Sequence, residues 1–191
     1  EELGYQYYPG VELSQDGSNE QRTDYGDVLL NHVIKDKLRI LNPDLPDSAI
    51  EEVYRKIKSI TSPSLIESNR DFHKQLVEGF DATFRSGELL KTEKVKLIDF
   101  DHTENNDFFV VNQFTIIEKE QRRPDLILFV NGIPLVVVEL KSASDENVGI
   151  QDAYNQIQTY KDDVKTLFVY NAFCILSDGI NAKVGTISSN E

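Results

Sequence analysis

The sequence predicts an α/β fold in which helices cover a mixed β-sheet. Three observations lead to this prediction: apolar residues at helical spacing in residues 27–80, a later series of short segments rich in β-branched and aromatic residues, and one helical segment among those strands. With 191 residues and 39% hydrophobic residues, the chain is long enough to form one domain with a sizeable core.

Three helices are expected before the sheet, in residues 27–42, 42–60 and 62–80. Ser62 or Ser64 could cap the third helix, because a side-chain oxygen at that position accepts a free backbone N–H. Gly79 marks its end, since glycine favours the conformation that terminates helices.

Seven short strands are expected after these helices. Each combines apolar, β-branched or aromatic residues with turn residues at its ends, and they lie in residues 94–100, 107–117, 123–130, 133–141, 165–171, 172–179 and 182–188. Between the fourth and fifth strands, the helical spacing predicts a helix that packs on the sheet through Ile150, Ala153, Tyr154 and Ile157.

Changes of composition along the chain predict three segments. Residues 1–25 are polar and loop-rich, residues 26–62 form an N-terminal helical extension, and residues 63–191 form the core that carries the sheet. We expect these segments to make one compact domain overall.

The charge balance limits how the protein could bind nucleic acid. Lys and Arg number 20 against 33 Asp and Glu, which gives a formal net charge of −13. A protein that binds DNA through a broad basic patch usually has an excess of Lys and Arg. Any DNA contact is therefore expected to be local, or shared with parts outside this chain.

A single cysteine and the lack of a long apolar run bear on cellular location. Cys174 cannot form an internal disulfide and is expected to be a buried structural thiol, which suits a reducing compartment. The sequence shows no signal peptide and no apolar run near the roughly 18 residues of a membrane span. We therefore expect a cytoplasmic protein with no membrane partner.

The segment "VVVELK", residues 136–141, carries the first chemical signal. Side chains alternate along a strand, so Glu139 and Lys141 share one face, and Leu140 is expected to point to the other face, into the core. Ionisable groups beside a core are costly unless they are paired or bind a metal. A lone Glu-x-Lys pair is usually a surface salt bridge, so a site requires further residues.

Asp125 supplies a further acidic residue. It follows Pro124 directly, at a position where a strand can begin. The dipeptide Asn131-Gly132 is a strong hairpin signal, and it joins this strand to the strand that carries Glu139.

The register of this hairpin decides whether Asp125 and Glu139 meet. A two-residue loop sets Asp125 opposite Val138, and the two carboxylates then face opposite sides. A three-residue loop sets Asp125 opposite Glu139, with Cβ atoms about 4.5–5.5 Å apart. Carboxylates that close repel each other unless a cation lies between them. We therefore predict the longer loop, or a bulge with Gly132 at positive φ, together with a divalent metal.

The predicted chemistry is phosphodiester hydrolysis. Hard oxygen ligands select Mg²⁺ or Mn²⁺, and Mg²⁺ uses one or two carboxylates while a substrate phosphate and waters complete its shell. Asp125 and Glu139 would bind the ion. Lys141 would position or deprotonate the attacking water, or stabilise the developing charge.

These residues resemble a known nuclease superfamily. Arg122-Arg123-Pro124-Asp125 with Glu139 and Lys141 is similar to the signature of the PD-(D/E)xK nucleases. More narrowly, "NNDFFVVNQFTI", "RRPDLILFVNGIPLVVVELK" and "DAYNQIQTY" resemble the N-terminal nuclease domain of the R (restriction) subunit of type I restriction enzymes. The resemblance covers most of residues 25–188.

The resemblance implies a restriction-endonuclease-like fold, with a mixed central sheet flanked by helices, and Mg²⁺-dependent cleavage of double-stranded DNA. It implies that Asp125 and Glu139 are metal ligands and that Lys141 is the catalytic lysine. It also implies a Q-x-x-x-Y motif, here Gln156 and Tyr160, whose spacing puts both residues on one flank of a helix. This pair could hold the DNA backbone or orient the active site.

The resemblance further implies an intact enzyme that contains modification and specificity subunits. The chain has no G-x-x-x-x-G-K-[ST] motif, so ATP is expected to bind only in C-terminal motor domains beyond residue 191. The chain alone should then cleave poorly or not at all. Two alternatives stay open: a nuclease of another DNA-processing system, and a catalytically dead module that docks the motor onto its partners.

Several polar residues have no assigned role. The histidines, which show no metal-binding spacing, are His32, His73 and His102. Related nucleases often carry an additional acid on the helix before the sheet, which here offers Glu67, Asp71 and Glu78. Gln113, on the strand in "VVNQF", either approaches the site or makes a hydrogen bond at the edge of the core, and both alternatives remain open.

Overall fold

The computed structural model of the chain describes residues 4–141 and 149–189. Its strands are β1 (Gln6–Pro9), β2 (Phe80–Ser86), β3 (Leu89–Val95), β4 (Phe108–Asn112), β5 (Ile116–Ile117), β6 (Gln121–Arg122), β7 (Leu126–Val130), β8 (Ile133–Leu140), β9 (Phe173–Ser177) and β10 (Ala182–Gly185). Its α-helices are α1 (Asn31–Leu41), α2 (Asp47–Lys58), α3 (Leu65–Glu78), α4 (Ile150–Asp163) and α5 (Lys165–Tyr170).

A six-stranded sheet in the order β1-β4-β7-β8-β9-β10 forms the centre of this described part. The pairs β1–β4 and β8–β9 are parallel, and the remaining neighbours are antiparallel. β2 pairs with β3, and β5 with β6, in two small separate sheets. The predicted mixed sheet is therefore confirmed.

Helices flank the sheet and share one hydrophobic core with it. α4 contacts β8 and β9, α5 contacts β8, and α3 packs on α5. The core draws on each predicted segment: Leu13 comes from the loop-rich segment, Ile34 from the helical extension and Phe72 from the part that carries the sheet. The α/β arrangement is confirmed, whereas the segment boundaries stay a prediction. Within the described residues, no helix is both long enough and apolar enough to cross a membrane.

α3 begins after Ser64, one of the two predicted caps, and ends before Gly79, as predicted. Ser64 is the N-cap, and its Oγ accepts the backbone N–H of Glu67 at 3.2 Å. Gly79 follows the helix with a φ of 83°, a conformation that glycine adopts without steric cost.

α1 is shorter than predicted, because the chain before Asn31 packs on the β7–β8 turn. The backbone N–H of Leu30 donates to the carbonyl oxygen of Gly132 at 3.0 Å. Val28 and Leu29 are also buried, so this apolar run reaches the core without becoming helical.

The prediction of a strand in residues 165–171 is wrong, because this segment forms α5. A short apolar run fits either a strand or a buried helix, and periodicity alone does not separate them. The side-chain amide of Asn69 donates to carbonyl oxygens at the end of α5, those of Phe168, Val169 and Asn171. Asn69 thus satisfies backbone carbonyl groups that the end of a helix leaves unpaired. It lies on α3, far from α5 in the sequence.

β1 and the β2–β3 hairpin are not among the strands predicted from the sequence. Most side chains of β3 and about half of those of β2 are exposed, so this ribbon lacks the apolar alternation of a half-buried strand. The predicted strand in residues 94–100 overlaps β3 only at its first two residues.

Candidate active site

The β7–β8 hairpin carries the candidate site, and its turn has two residues. Val130 pairs with Ile133, and the turn residues Asn131 and Gly132 have φ angles of 50° and 85°. The prediction of a three-residue loop is therefore wrong. Two left-handed residues form the kind of turn whose twist matches the two strands, so the shorter loop is favoured.

A β-bulge nevertheless produces the predicted pairing. Leu135 is an extra residue on β8, between positions that pair with consecutive residues of β7. Leu126 consequently pairs with Val138, and the next residues outward are Asp125 and Glu139. The predicted alternative of a bulge with a left-handed turn glycine is confirmed, and the bulge lies within β8.

Asp125 is held from two sides. Its Oδ2 accepts the backbone N–H of Leu140 at 2.9 Å, and its Oδ1 accepts a hydrogen bond from Nε2 of Gln113 at 3.1 Å. Gln113 follows β4 directly, so three neighbouring strands contribute to the site. Of the two alternatives for Gln113, the structure supports an approach to the site.

Glu139 is buried at the end of β8, with 1% of its surface exposed. Its Oε1 accepts a hydrogen bond from Nζ of Lys141 at 3.2 Å, whereas its buried Oε2 has no hydrogen-bond partner among the described residues. Burial, and then the nearby charge of Asp125, raise the pKa of Glu139 to about 7. The two carboxylates thus lie close enough to repel each other, which a bound cation would relieve.

Leu140 does not point into the core, contrary to the prediction. Its side chain is 45% exposed. Leu126, the first residue of β7, pairs with Val138, so Leu140 extends past β7, although it still pairs with Ser177 of β9.

Lys141, Gln156 and Tyr160 form a chain of hydrogen bonds. Nζ of Lys141 donates to Oε1 of Gln156, and Nε2 of Gln156 donates to the hydroxyl of Tyr160 at 2.5 Å. Burial raises the pKa of Tyr160 to about 12, and the charge of Glu139 acts in the same direction. The phenol therefore stays protonated at neutral pH.

The donor set fits a hard divalent cation. Asp125 and Glu139 offer carboxylate oxygens, and one or two carboxylates with several waters are typical of Mg²⁺. The buried Oε2 of Glu139 lacks a hydrogen-bond partner in the described part of the chain, and a cation would satisfy it. Within residues 4–141 and 149–189, no group of three or more His, Cys, Asp or Glu side chains could hold a metal ion. The pair therefore stands without a third such ligand in that part of the chain.

The acidic residues of α3 make other contacts. Glu67 accepts a hydrogen bond from Oγ of Ser64 at 2.9 Å, and Asp71 accepts one from Oγ of Ser62 at 2.6 Å. Glu78 is exposed at the end of the helix. None of the three joins the carboxylates of β7 and β8 in a metal-binding group.

The histidines and the cysteine also lie outside the candidate site. His73 packs edge-on against Phe72, and its Nε2 lies 3.0 Å from the carbonyl oxygen of Asn171, whereas His32 and His102 are exposed. Cys174 is buried, and burial raises the pKa of its thiol to about 11. The expected structural thiol is therefore confirmed.

A mixed sheet flanked by helices, with two carboxylates and a lysine at the ends of neighbouring strands, is consistent with a restriction-endonuclease-like fold. A family model described as the type I restriction enzyme R protein N terminus matches residues 1–191, so the chain belongs to this family. The chain is 38% identical over 190 residues to the type I restriction enzyme HindI endonuclease subunit of Haemophilus influenzae.

The relatives are much longer proteins. The HindI alignment covers 98% of this chain and 18% of that subunit. The type I restriction enzyme SauCOLORF180P endonuclease subunit of Staphylococcus aureus is 30% identical over 174 residues, which are 91% of this chain and 17% of the relative. The EcoprrI endonuclease subunit of Escherichia coli is 29% identical over 126 residues, 64% of this chain and 38% of the relative.

Proposed function

We propose that this chain is the endonuclease domain of a type I restriction enzyme R subunit, and that it hydrolyses phosphodiester bonds of double-stranded DNA with Mg²⁺ or Mn²⁺ as cofactor. One observation carries the proposal. The carboxylates of Asp125 and Glu139 and the side-chain nitrogen of Lys141 meet at the ends of β7 and β8, and the buried Oε2 of Glu139 has no hydrogen-bond partner within residues 4–141 and 149–189. The names of the relatives, which are endonuclease subunits, support the same reaction.

Each of the three residues has a role in this proposal. Asp125 and Glu139 hold the ion through carboxylate oxygens. When bound, the ion lowers the pKa of a water molecule and offsets negative charge on the phosphate. Lys141, whose Nζ lies 3.2 Å from Glu139, has one of two roles. As an ammonium it orients the attacking water or stabilises charge on the phosphate as it develops, and as a neutral amine it accepts the proton of that water.

Gln156 and Tyr160 are assigned to the orientation of Lys141. The amide of Gln156 uses its oxygen for Lys141 and an N–H group for Tyr160, so both ends of the amide are engaged inside the protein. These bonds join Gln156 and Tyr160 directly to Lys141. The contacts therefore favour orientation over DNA binding.

The proposal makes the chain one part of a larger enzyme. A net charge of −13 gives little non-specific attraction to DNA, so other parts must deliver the substrate. We assign this task to ATP-dependent motor domains of the same subunit, outside this chain, and to modification and specificity subunits. Cellular DNA as the substrate would place this assembly in the cytoplasm. We expect the isolated chain to cleave poorly.

The test compares Lys141→Ala with the wild type in the full-length subunit assembled with its partners. We expect DNA cleavage to fall by about 100-fold or more, the usual effect of removing a group that stabilises charge in the transition state. ATP hydrolysis should continue, because the motor is a separate part. Lys91→Ala is the matched control, since Lys91 is exposed on β3, and it should retain both activities.

Two outcomes would contradict the proposal. If the Lys141→Ala variant cleaved DNA at the wild-type rate, the candidate site would not be the site of the reaction. If the Lys141→Ala variant lost both DNA cleavage and ATP hydrolysis, the alternative of a docking module would be favoured.

A further inference from the structure

Gln113 adopts a backbone conformation that a residue with a Cβ rarely takes. Its φ is 51°, in the left-handed region, at the point where β4 has just ended. Such conformations persist where surrounding contacts impose them, and they concentrate at functional sites. The contacts of Gln113 fall into two sets, those to Asp125 and those that hold the neighbouring backbone.

Gln113 binds Asp125 through both its main chain and its side chain. Its backbone N–H donates to the carbonyl oxygen of Asp125 at 3.0 Å, and its Nε2 donates to Oδ1 at 3.1 Å. Oδ2 of Asp125 accepts the N–H of Leu140 at 2.9 Å. Among the described residues each oxygen thus has one donor, which fixes the plane of the carboxylate and leaves a lone pair on each oxygen for a cation.

A buried arginine holds the residues that follow Gln113. The guanidinium of Arg22, which is 1% exposed, lies 3.6 Å from the ring centroid of Phe114. Its Nη2 donates to the carbonyl oxygen of Thr115 at 2.6 Å. Arg22 thus fixes both residues after Gln113, one through its ring and one through its carbonyl group.

Gly10 holds the same backbone from another side. Its N–H donates to the carbonyl oxygen of Asn112 at 2.7 Å. A Cβ added to Gly10 would lie 2.7–2.8 Å from backbone atoms of Asn112, Gln113 and Phe114. This close approach leaves the backbone around Gln113 little room to relax.

We propose that Gln113 is a positioning residue for Asp125, and that the N-terminal loop-rich segment holds Gln113 in place through Gly10 and Arg22. Gln113 acts through Asp125 and touches neither the ion nor the DNA. The inference rests on the proposed function, because a fixed carboxylate matters only if it serves the reaction. It makes the N-terminal segment part of the framework of the active site.

Gln113→Asn tests the inference in the chain itself. Asparagine tolerates the left-handed region better than most residues, so the backbone is retained, but its amide is one methylene too short to reach Asp125. The readout is the backbone amide of Leu140, followed by NMR, because it donates to the other oxygen of Asp125. We expect its resonance to move and its hydrogen exchange to accelerate about fivefold to tenfold, the effect of weakening one hydrogen bond.

Two further variants complete the test. Gln113→Gly removes the amide in a residue that adopts the left-handed region without strain, so it should reproduce the change at Leu140 even if the Asn variant folds poorly. Gln75→Asn on α3 is the matched control and should leave the Leu140 amide unchanged. An unchanged Leu140 amide in both Gln113 variants would overturn the inference, whether or not the chain binds a metal.

The full-length subunit with its partners supplies the second readout. We expect Gln113→Asn to lower the cleavage rate about 10- to 100-fold, as for other residues that orient metal ligands, with DNA affinity and ATP hydrolysis unchanged. If the Leu140 amide changes but Gln113→Asn cleaves DNA at the full rate, the contact between Gln113 and Asp125 stands, but the role of Gln113 in the reaction is overturned. If the Leu140 amide changes but metal binding by the chain does not depend on Asp125, the proposed function is contradicted instead.

Discussion

The carboxylate of Asp125 accepts the backbone N–H of Leu140, the residue between Glu139 and Lys141, at 2.9 Å. A side chain thus continues the β7–β8 pairing just beyond the last backbone pair of the hairpin. The contact fixes one carboxylate against the strand that carries the other. The geometry of the candidate site therefore depends on the register of a single hairpin.

Gly132→Ala should destabilise this hairpin strongly. Gly132 has a φ of 85°, and a Cβ there would lie 2.8 Å from Cγ1 of Ile34 and from the carbonyl oxygen of Leu30. Strain of this kind costs roughly 1–3 kcal/mol, and each kcal/mol lowers the Tm of a chain of this size by about 2–4 °C. Thermal unfolding followed by circular dichroism measures the change.

Gly87→Ala is the matched control for Gly132→Ala. Gly87 also has a positive φ, of 65°, but no atom of the described residues lies within 4 Å of a Cβ added there. The control should show the backbone strain alone, so its Tm should fall less. Equal losses in the two variants would mean that the contact with α1 does not hold the turn.

Tyr160→Phe should slow DNA cleavage by the assembled enzyme about tenfold. The change removes the hydroxyl that accepts the hydrogen bond of Gln156, so Gln156 and Lys141 lose their fixed orientation. DNA affinity, measured by a filter or mobility assay, should stay unchanged. Tyr154→Phe on the same helix is the control, and a loss of DNA affinity with Tyr160→Phe would favour the DNA-binding role instead.

Asp163→Asn should lower stability in a pH-dependent way. Nε and Nη2 of Arg122 donate to Oδ2 of Asp163 at 2.8 and 2.5 Å, and this contact holds the pKa of Asp163 below its usual range. A carboxyl group whose pKa is lower in the folded state contributes stability above its unfolded pKa of about 4, and that contribution is lost as the pH falls through the lowered value. The Tm difference between wild type and variant should therefore be full at neutral pH and shrink in acid.

A second carboxylate serves as the control for Asp163→Asn. Asp36 pairs with Arg39, but its side chain is 71% exposed, so solvent screens the pair. Asp36→Asn should change the Tm little at any pH. A Tm difference for Asp163→Asn that persists unchanged in acid would show that the ion pair is not its source.

Cys174 should react slowly with thiol reagents while the chain is folded. Burial raises its pKa to about 11, so few thiolates form at pH 8, and the thiolate is the reactive form. Mass spectrometry after iodoacetamide treatment should find an unmodified native chain and one modified group after unfolding in guanidinium. Rapid modification of the native chain would contradict the buried position.

Elements with a buried face and clear end signals could be predicted from the sequence. The segment of α3 combines an apolar stripe with cap residues at its ends, so the end at Gly79 was correct and the start at Ser64 was one of two predicted alternatives. The β2–β3 ribbon has few buried side chains, and its pattern therefore gives no period of two. α5 depends on the side chain of Asn69, which comes from about a hundred residues earlier in the chain.

The pairing of Asp125 with Glu139 could be predicted because two carboxylates and a hairpin signal allow only a few registers. The position of the bulge could not, since Leu135 is one apolar residue among several similar ones. The contact of Gln113 was one of two open alternatives. Only its left-handed backbone, which the sequence does not reveal for a residue other than glycine, brings its amide to Asp125.

A Mn²⁺ titration of the chain, followed by electron paramagnetic resonance, tests the central claim most directly. We predict one site in the wild type, with affinity reduced at least about tenfold in Asp125→Asn and in Glu139→Gln, because each removes a charged ligand. Asp44→Asn, which changes an exposed carboxylate, should bind Mn²⁺ as the wild type does. Identical titrations for all four proteins would contradict the claim that the two carboxylates share an ion.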